Sequence, residues 1–571
     1  MITVLKNIFS GKFKHVFIVL LITLLSIPTF WRVLKPGYFK IHDDLQVVRV
    51  YEMSKCLKDG QIPCRWVPDM GYRFGYPQFN YYGPIPYYFM SFLNLAGINL
   101  FDAMKIGFIL PAILGNIGMF YLGASLFGGA GGVVAATLYA FSPYRGSDTF
   151  ARGAMGEVWA FIFLPLIVLA IKKLSEKATL KNSAFLALSF AGLLATHNVT
   201  TLMFTPLILF YIAFLVLQKS KFNSKAIFRE SKKYVLSFLW GGAIAAFFFL
   251  PVIFEKQFAH TESMIGGYFD YRAHFVTFRQ LFFTSFWSYG SSEIGPADDM
   301  SFFFSPILIL TIFVTFVLLL KRIKERRYGN AEIAVSIFFI LGVISTFMTH
   351  EKSSFIWSLI SPLVYLQFPW RFLLVANFFL IIAGAYTFSN LRLHKNLWIL
   401  VYFFLASFLF SASYFRPVAN QNLTVDEKMS GVLWDRQMTI SIFDYLPTSA
   451  KTPPNFPAPI YPSSSSRYYY IENFKSGTNW VSFDYNSTGS SSLTLNILDF
   501  PGWKTYDYGK EIIHTNTKDG LISVNLSEGD HSLLAKLTNT PVRLIGNLLT
   551  IIFLPFAIYS LFNKRRNVSK S

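Results

Sequence analysis

Long apolar runs recur from near residue 15 to residue 562, and Lys/Arg clusters fall after every second run. Runs of about 18–25 residues have the length at which a helix crosses a bilayer. Cationic clusters mark the ends that stay cytoplasmic. The pattern predicts a many-pass helical membrane protein whose chemistry lies at or across a lipid boundary.

Composition agrees. The chain is 53% hydrophobic and 18% aromatic but only 14% charged, whereas soluble domains carry about a quarter charged residues. Sixty-three Phe exceed the needs of one soluble core, yet suit lipid-facing helices. The net charge of +20 does not point to nucleic acid. Most Lys and Arg outside the large loops flank apolar runs, where they set topology and meet anionic headgroups. The first run, His15 to Leu34, is longer than a signal h-region and lacks a small-residue cleavage site, so it reads as an uncleaved span.

Hydropathy and charge asymmetry predict about twelve spans, near 15–34, 101–123, 129–143, 155–171, 182–197, 199–218, 234–254, 302–320, 331–349, 370–390, 397–414 and 543–562. One side carries Lys6/Lys12/Lys14, Lys172/Lys173/Lys177/Lys181, the Lys219–Lys233 group, Lys321–Arg327, Arg392/Lys395 and Lys564/Arg565/Arg566. That side is expected to be cytoplasmic, with both termini. The short Pro84–Leu95 run is expected to be interfacial or re-entrant. The expected organisation is a first span (1–34), a first extracytoplasmic loop (35–83), a multi-span bundle (84–415), an extracytoplasmic linker with a β-sandwich (416–541), and a last span with a basic tail (542–571).

The sandwich is predicted from alternating strands at Trp480–Tyr485, Ser492–Leu498, Leu521–Leu526 and His531–Leu537, punctuated by Gly502, Gly509, Gly520 and Gly529. Residues 451–466 are Pro/Ser-rich and read as a linker. The only two cysteines, Cys56 and Cys64, could pair outside the cell or remain free thiols.

The first loop holds the chemistry-bearing candidates. Asp43 and Asp44 precede an amphipathic pattern (Leu45, Val48, Glu52, Lys55) ended by Gly60, so the pair is expected to open a helix lying on the membrane surface. Two readings stand side by side: helix capping, and a general base that takes a proton from an acceptor while a lipid-borne group departs. Arg49, Arg65, Arg73 and Arg152 also fall on this face; snorkelling or carboxylate pairing leads for them. For Arg371, at a span mouth in Gln367–Phe372, phosphate contact is preferred. Glu157 opens a span and reads either as functional or as a solvated first-turn acid. His197, at a span boundary, reads first as a hydrogen-bonding packer. His260, Glu262, Asp270 and His274 show no metal-ligand spacing, so a divalent-ion site is unsupported.

Several stretches resemble known families. Asp499-Phe500-Pro501-Gly502-Trp503-Lys504, Tyr508-Gly509-Lys510, Gly520-Leu521-Ile522 and Gly529-Asp530-His531 track the sandwich pattern of YfhO-like proteins. His42-Asp43-Asp44 through Tyr82-Gly83-Pro84 resembles the first loop of bacterial membrane proteins labelled 6-pyruvoyl-tetrahydropterin synthase-related, with no zinc-binding His set to suggest pterin chemistry. The architecture resembles the GT-C superfamily of integral membrane glycosyltransferases. That resemblance implies Asp43 or Asp44 as catalytic base, a polyprenyl-phosphate-linked sugar as donor, and Arg371 on its phosphate. It also implies Trp66, Tyr72 and Tyr81 stacking on sugar, with a glycan, lipid or protein of the cell envelope as acceptor. No acceptor motif like that of oligosaccharyltransferases is visible, so the acceptor stays open. The competing readings are a non-enzymatic lipid or polysaccharide transporter and an envelope-assembly protein.

Overall fold

The computed structural model describes residues 14–284, 292–293, 300–391, 393, 396–439 and 444–563. Lys6, Lys12, Arg392, Lys395, Lys564, Arg565 and Arg566 lie outside the described residues. Within them, eight helices are long and apolar enough to cross a membrane, or nine if the bent pair Ser224–Ile244 and Ala246–Phe254 is one span. The protein is thus a multi-pass helical membrane protein. The count of twelve is not reached, for two physical reasons. Lys14–Ser26 and Leu180–Thr196 are helices of only 13 and 17 residues. The predicted 101–123 and 129–143 segments are the two arms of one trace, Leu100–Ala140, broken at Gly128 (φ 77°), and the arm after Gly128 is too short to span by itself.

That trace is a hairpin. A Cβ on Gly123 would lie 2.7 Å from the Ala135 Cβ, and one on Gly132 would lie 2.7 Å from the Phe120 carbonyl. Residues twelve apart on a straight helix stand about 18 Å apart. Only the missing side chains let the two arms approach this closely.

Prolines inside the helices leave carbonyls four residues earlier without a backbone donor, and in a membrane such groups need partners. Three are satisfied from other segments. Gly107 O, orphaned by Pro111, accepts from Trp159 Nε1 (2.8 Å). Phe161 O, orphaned by Pro165, accepts from the Tyr139 hydroxyl (2.8 Å). Phe247 O, orphaned by Pro251, accepts from Arg65 Nη2 (2.9 Å). At the 85° break between Ile244 and Ala246, the freed Phe247 N–H donates to Thr550 Oγ1 (3.0 Å) of the last helix, Pro541–Phe562.

A two-stranded ribbon joins β1 (Tyr38–Phe39) to β2 (Asn420–Gln421). The C-terminal β-domain is a sandwich. One sheet has the order β3 (Ser463–Ser464), β6 (Ser491–Leu498), β10 (Leu521–Leu526), β9 (His514–Asn516). The other has β4 (Tyr469–Ser476), β5 (Trp480–Ser487), β11 (Gly529–Leu537), β7 (Trp503–Asp507), β8 (Lys510–Ile512). Alternate residues Val481, Phe483 and Tyr485 of β5 face Leu493 and Leu495 of β6 and Ile522 and Val524 of β10 in one buried core, as period-two burial requires.

The first loop is not a surface feature. Its helix starts at Gln46, not at the Asp pair, and runs to Lys58 with Val47, Val50, Met53 and Cys56 buried. Neither aspartate caps it, because the N-cap position falls on Leu45. The helix packs against Ile85–Leu95 and the first arm of the hairpin, since its apolar stripe is answered by protein. Cys56 and Cys64 form a disulfide. The first loop, the segment after Glu255 and the sandwich touch one another (Asn80–Glu255, Ala259–Pro447, Trp66–Trp503), so they share one end of the bundle.

Candidate active site

At that end two strips of chain run side by side. His42 N donates to Ala151 O (2.9 Å) and Asp43 N to Arg152 O (2.8 Å). The 151–152 strip is the end of a π-helical turn, Ser147–Arg152, closed by Gly153 at φ 68°. Glycine is required there twice over: the backbone is left-handed, and a Cβ would come within 2.7 Å of Ile41. This turn delivers Arg152 to Asp43's side of the molecule.

The Asp43 carboxylate accepts from Arg49 Nη1 at 3.0 and 2.8 Å and from Gln46 Nε2 at 2.8 Å, and stays 30% exposed. Arg49 is buried and stacks on Tyr82, 4.3 Å from the ring centroid. Burial opposes the charge on Arg49, but Asp43 together with the Tyr82 and Tyr87 phenols outweighs it and holds the guanidinium more firmly protonated than usual. Tyr82 lies within electrostatic reach of Arg49, Asp43 and Arg371, so the first loop and the mouth of the Pro369–Asn390 span converge here. That span is the bundle's centre, 94% enclosed along its apolar stretch.

Behind Asp43 lies a buried charged cluster. Glu157 accepts from the Tyr144 hydroxyl (2.5 Å) and Arg152 Nη1 (2.7 Å), with Arg371 Nε 3.9 Å away. Arg152 also pairs with Asp148 and lies over the Trp370 ring, 4.5 Å from its centroid. Burial first, then Glu157, hold the Asp148 carboxyl well above the ordinary carboxylate range. Among the described residues, three buried polar atoms in the cluster have no hydrogen-bond partner: Arg371 Nε, Trp370 Nε1 and Asp148 Oδ2. Arg371 Nη1 is held by Leu366 O (2.8 Å) and Gln367 Oε1 (3.1 Å), which fixes where its other nitrogens point.

The other sequence candidates are dispersed. Asp44 turns away to Lys428 Nζ (2.5 Å) and the Tyr38 hydroxyl. Glu157 is fully buried, so the solvated reading fails. His197 caps the Asn198–Ser220 helix through Thr200 (2.7 Å to its hydroxyl), beside Gly156. Arg65 reaches Asn80 Oδ1 (3.2 Å), Phe247 O and Asn547 Oδ1 (3.0 Å); it serves the broken helix rather than a ligand. Trp66 and Tyr81 are not free to stack on sugar. Trp66 is 2% exposed between Phe500 and Trp503, and Tyr81 is stacked on Tyr445 and donates to Glu255 O (2.7 Å). Both fill the seam between first loop and sandwich. Tyr72 packs at the edge of that seam, and Arg73 beside it is exposed.

Sequence reasoning missed Asp148, Tyr144, Trp370, Gln46 and Lys428 as neighbours of these groups. One signal was present: Asp148 and Arg152 stand four apart in a short polar piece between two spans. Among the described residues no group of three or more His, Cys, Asp or Glu could hold a metal ion.

Residues 79–418 match the family described as "6-pyruvoyl-tetrahydropterin synthase related domain; membrane protein", and the chain belongs to that family. An uncharacterized protein of Lactococcus lactis subsp. cremoris (strain MG1363) is 25% identical over 384 residues, covering 64% of this chain and 56% of that protein. The chain thus spans little more than half the length of that relative. Among solved structures, arabinofuranosyltransferase AftD from Mycobacteria superposes with a TM-score of 0.43 at 13% identity, over 73% of this chain and 28% of that one. The Archaeoglobus fulgidus oligosaccharyltransferase gives 0.36 at 14%, over 71% and 54%. At these TM-scores neither superposition assigns a role to any residue.

Proposed function

We propose that this protein transfers a sugar from a polyprenyl-phosphate carrier to a cell-envelope acceptor, on the extracytoplasmic face, with both termini in the cytoplasm. The observation that carries this reading is the pairing of unspent donors with a reachable carboxylate. Among the described residues, buried Arg371 Nε and Trp370 Nε1 lack hydrogen-bond acceptors, and the partly exposed Asp43 is tied by its backbone to Arg152 of the same cluster. Buried donors are normally matched, and a phosphodiester oxygen is an acceptor suited to a guanidinium.

In the reaction, Asp43 accepts the proton of the acceptor nucleophile as its oxygen bonds the sugar's anomeric carbon. The bond from that carbon to the phosphate oxygen breaks, and the carrier leaves as polyprenyl phosphate. Arg371 stabilises the charge that gathers on the departing phosphate. Asp43 is preferred to Asp44 because it alone runs beside the Arg152 strip. The long loops and sandwich face outward by the cation asymmetry of the short turns.

The test uses the full chain in proteoliposomes with radiolabelled polyprenyl-phosphate sugars and envelope extract as acceptor. Asp43→Asn should lower transfer about 10²–10⁴-fold, the usual worth of a positioned base. Asp44→Asn should retain most activity. Undiminished transfer by the Asp43→Asn/Asp44→Asn double variant removes the assignment.

A further inference from the structure

Gln46 is completely buried and has every one of its polar atoms engaged. Its Nε2 donates both to Asp43 Oδ2 (2.8 Å) and to Gly153 O (2.8 Å), and its Oε1 accepts from the Tyr87 hydroxyl (2.6 Å). Tyr87 is itself fully buried, and its ring packs against Tyr82 (centroids 5.7 Å), the ring under Arg49. The Asp43 carboxylate and the Gly153 carbonyl can only accept, so Nε2 must face them, and Oε1 is left to take the Tyr87 hydroxyl hydrogen. These two acceptors settle which way the amide faces, and both amide hydrogens are committed. One holds the candidate base; the other holds the residue that closes the turn bearing Arg152.

We propose that Gln46 is a positioning residue that fixes the Asp43 carboxylate relative to the Arg152–Arg371 cluster, with Tyr87 fixing Gln46. This rests on the reading of Asp43 as the base. Asp43 has two restraints of different kinds. Arg49 supplies charge and contacts both oxygens through one nitrogen, which permits rocking about that contact. Gln46 supplies a neutral second point that removes the rocking. Its other hydrogen bond ties the same amide to the opposite strip, so base and cation cluster are referenced to one group. A neutral amide does this without adding charge beside the base, and the substitution below exploits that.

Gln46→Glu keeps size and shape but replaces the amide with a titratable carboxyl. When protonated, that carboxyl still donates one hydrogen bond to Asp43. When ionised, it has no hydrogen to give and stands against a like charge, so the two carboxylates push apart. The measurement is the ratio of variant to wild-type kcat at each pH from 5 to 8.5, in the same proteoliposome assay. We expect the ratio to fall by about 10²-fold across that range, the scale of loss when a reacting group is misplaced by about 1 Å, with KM for the lipid-linked donor little changed. Tyr87→Phe, which leaves the buried Gln46 Oε1 without its donor, should lower kcat about 10-fold without a new pH limb. Thermal unfolding midpoints near wild type for both variants at pH 6 serve as the folding control.

A pH-independent ratio for Gln46→Glu, in a protein whose Asp43→Asn variant is inactive, overturns the positioning role and leaves the base assignment standing. Full activity of Asp43→Asn overturns the base assignment itself.

Discussion

Arg543 Nε and Glu255 Oε2 meet at 2.9 Å with both side chains buried, although 288 residues separate them. Arg543 also donates to Pro501 O (2.8 Å) in the sandwich, and Glu255 accepts from Asn80 Nδ2 (3.0 Å) in the first loop and from the Thr540 hydroxyl (2.5 Å). This pair therefore ties the last span, the bent helix, the first loop and the sandwich into one knot. Gly502 admits it: at φ 106° its absent side chain leaves room for Arg543 Nη1, 2.8 Å from where a Cβ would stand.

Removing one partner of such a pair strands a buried charge, at a cost of about 3–5 kcal/mol, whereas replacing both can be nearly neutral. Glu255→Ala should lower the thermal unfolding midpoint of the detergent-solubilised chain sharply. Glu255→Met combined with Arg543→Met should recover most of the loss. A single variant as stable as wild type would show that the knot holds nothing.

The Cys56–Cys64 bridge closes a short loop, eight residues in separation, that ends beside Arg65 and Trp66. By loop-closure entropy such a bridge stabilises by about 2–3 kcal/mol. A Cys56→Ala/Cys64→Ala variant should lose about that much. Its unfolding should no longer respond to dithiothreitol, whereas wild-type unfolding should shift downward with it. Equal midpoints for wild type with and without reductant would contradict this.

Much of the architecture was legible because it rests on short-range patterns. Hydropathy located the long apolar helices, and β5, β6, β10 and β11 begin and end within two residues of the alternating runs. The hairpin at Gly128 was half visible in Gly128-Gly129-Ala130-Gly131-Gly132, although composition does not say that two arms close on each other. The site was less legible. Asp43, Arg152, Glu157 and Arg371 do gather, because charge near apolar spans must find charge. Which aspartate faces the cluster depended on a backbone pairing between residues 42–43 and 151–152, and no periodicity encodes that. Trp66 and Tyr81 misled for a related reason. An aromatic residue in a loop looks the same whether it awaits a ligand or fills a seam against a distant domain.

The orphaned carbonyl at Gly107 allows a direct test of the proline accounting. Trp159→Phe leaves Gly107 O without a donor in a buried setting, a loss of about 1–3 kcal/mol. In a Pro111→Ala background, residue 111 regains an N–H that can serve that carbonyl, so Trp159→Phe should cost less there. Equal costs in both backgrounds, read from urea or thermal unfolding, would mean that the indole contributes packing alone.

Glu52 makes stability depend on pH in a direction unlike most carboxylates. It sits on the Gln46–Lys58 helix, fully buried, and neither oxygen has a hydrogen-bond partner among the described residues. Its charged neighbours are Lys55 and Asp69, which pair with each other, and Tyr51 precedes it on the helix. Burial, then the Asp69 charge, hold its carboxyl well above the ordinary range. Below about pH 4 the side chain is protonated whether folded or unfolded, and it imposes no penalty. As pH rises past that value the unfolded chain releases the proton while the folded chain keeps it. Stability then falls by up to about 1.4 kcal/mol per pH unit, until pH reaches the raised folded value. Glu52→Gln removes this term. The variant should match wild type near pH 4 and unfold at a higher temperature by pH 8, read from intrinsic fluorescence. Parallel midpoint curves across that range would place the Glu52 carboxyl in water.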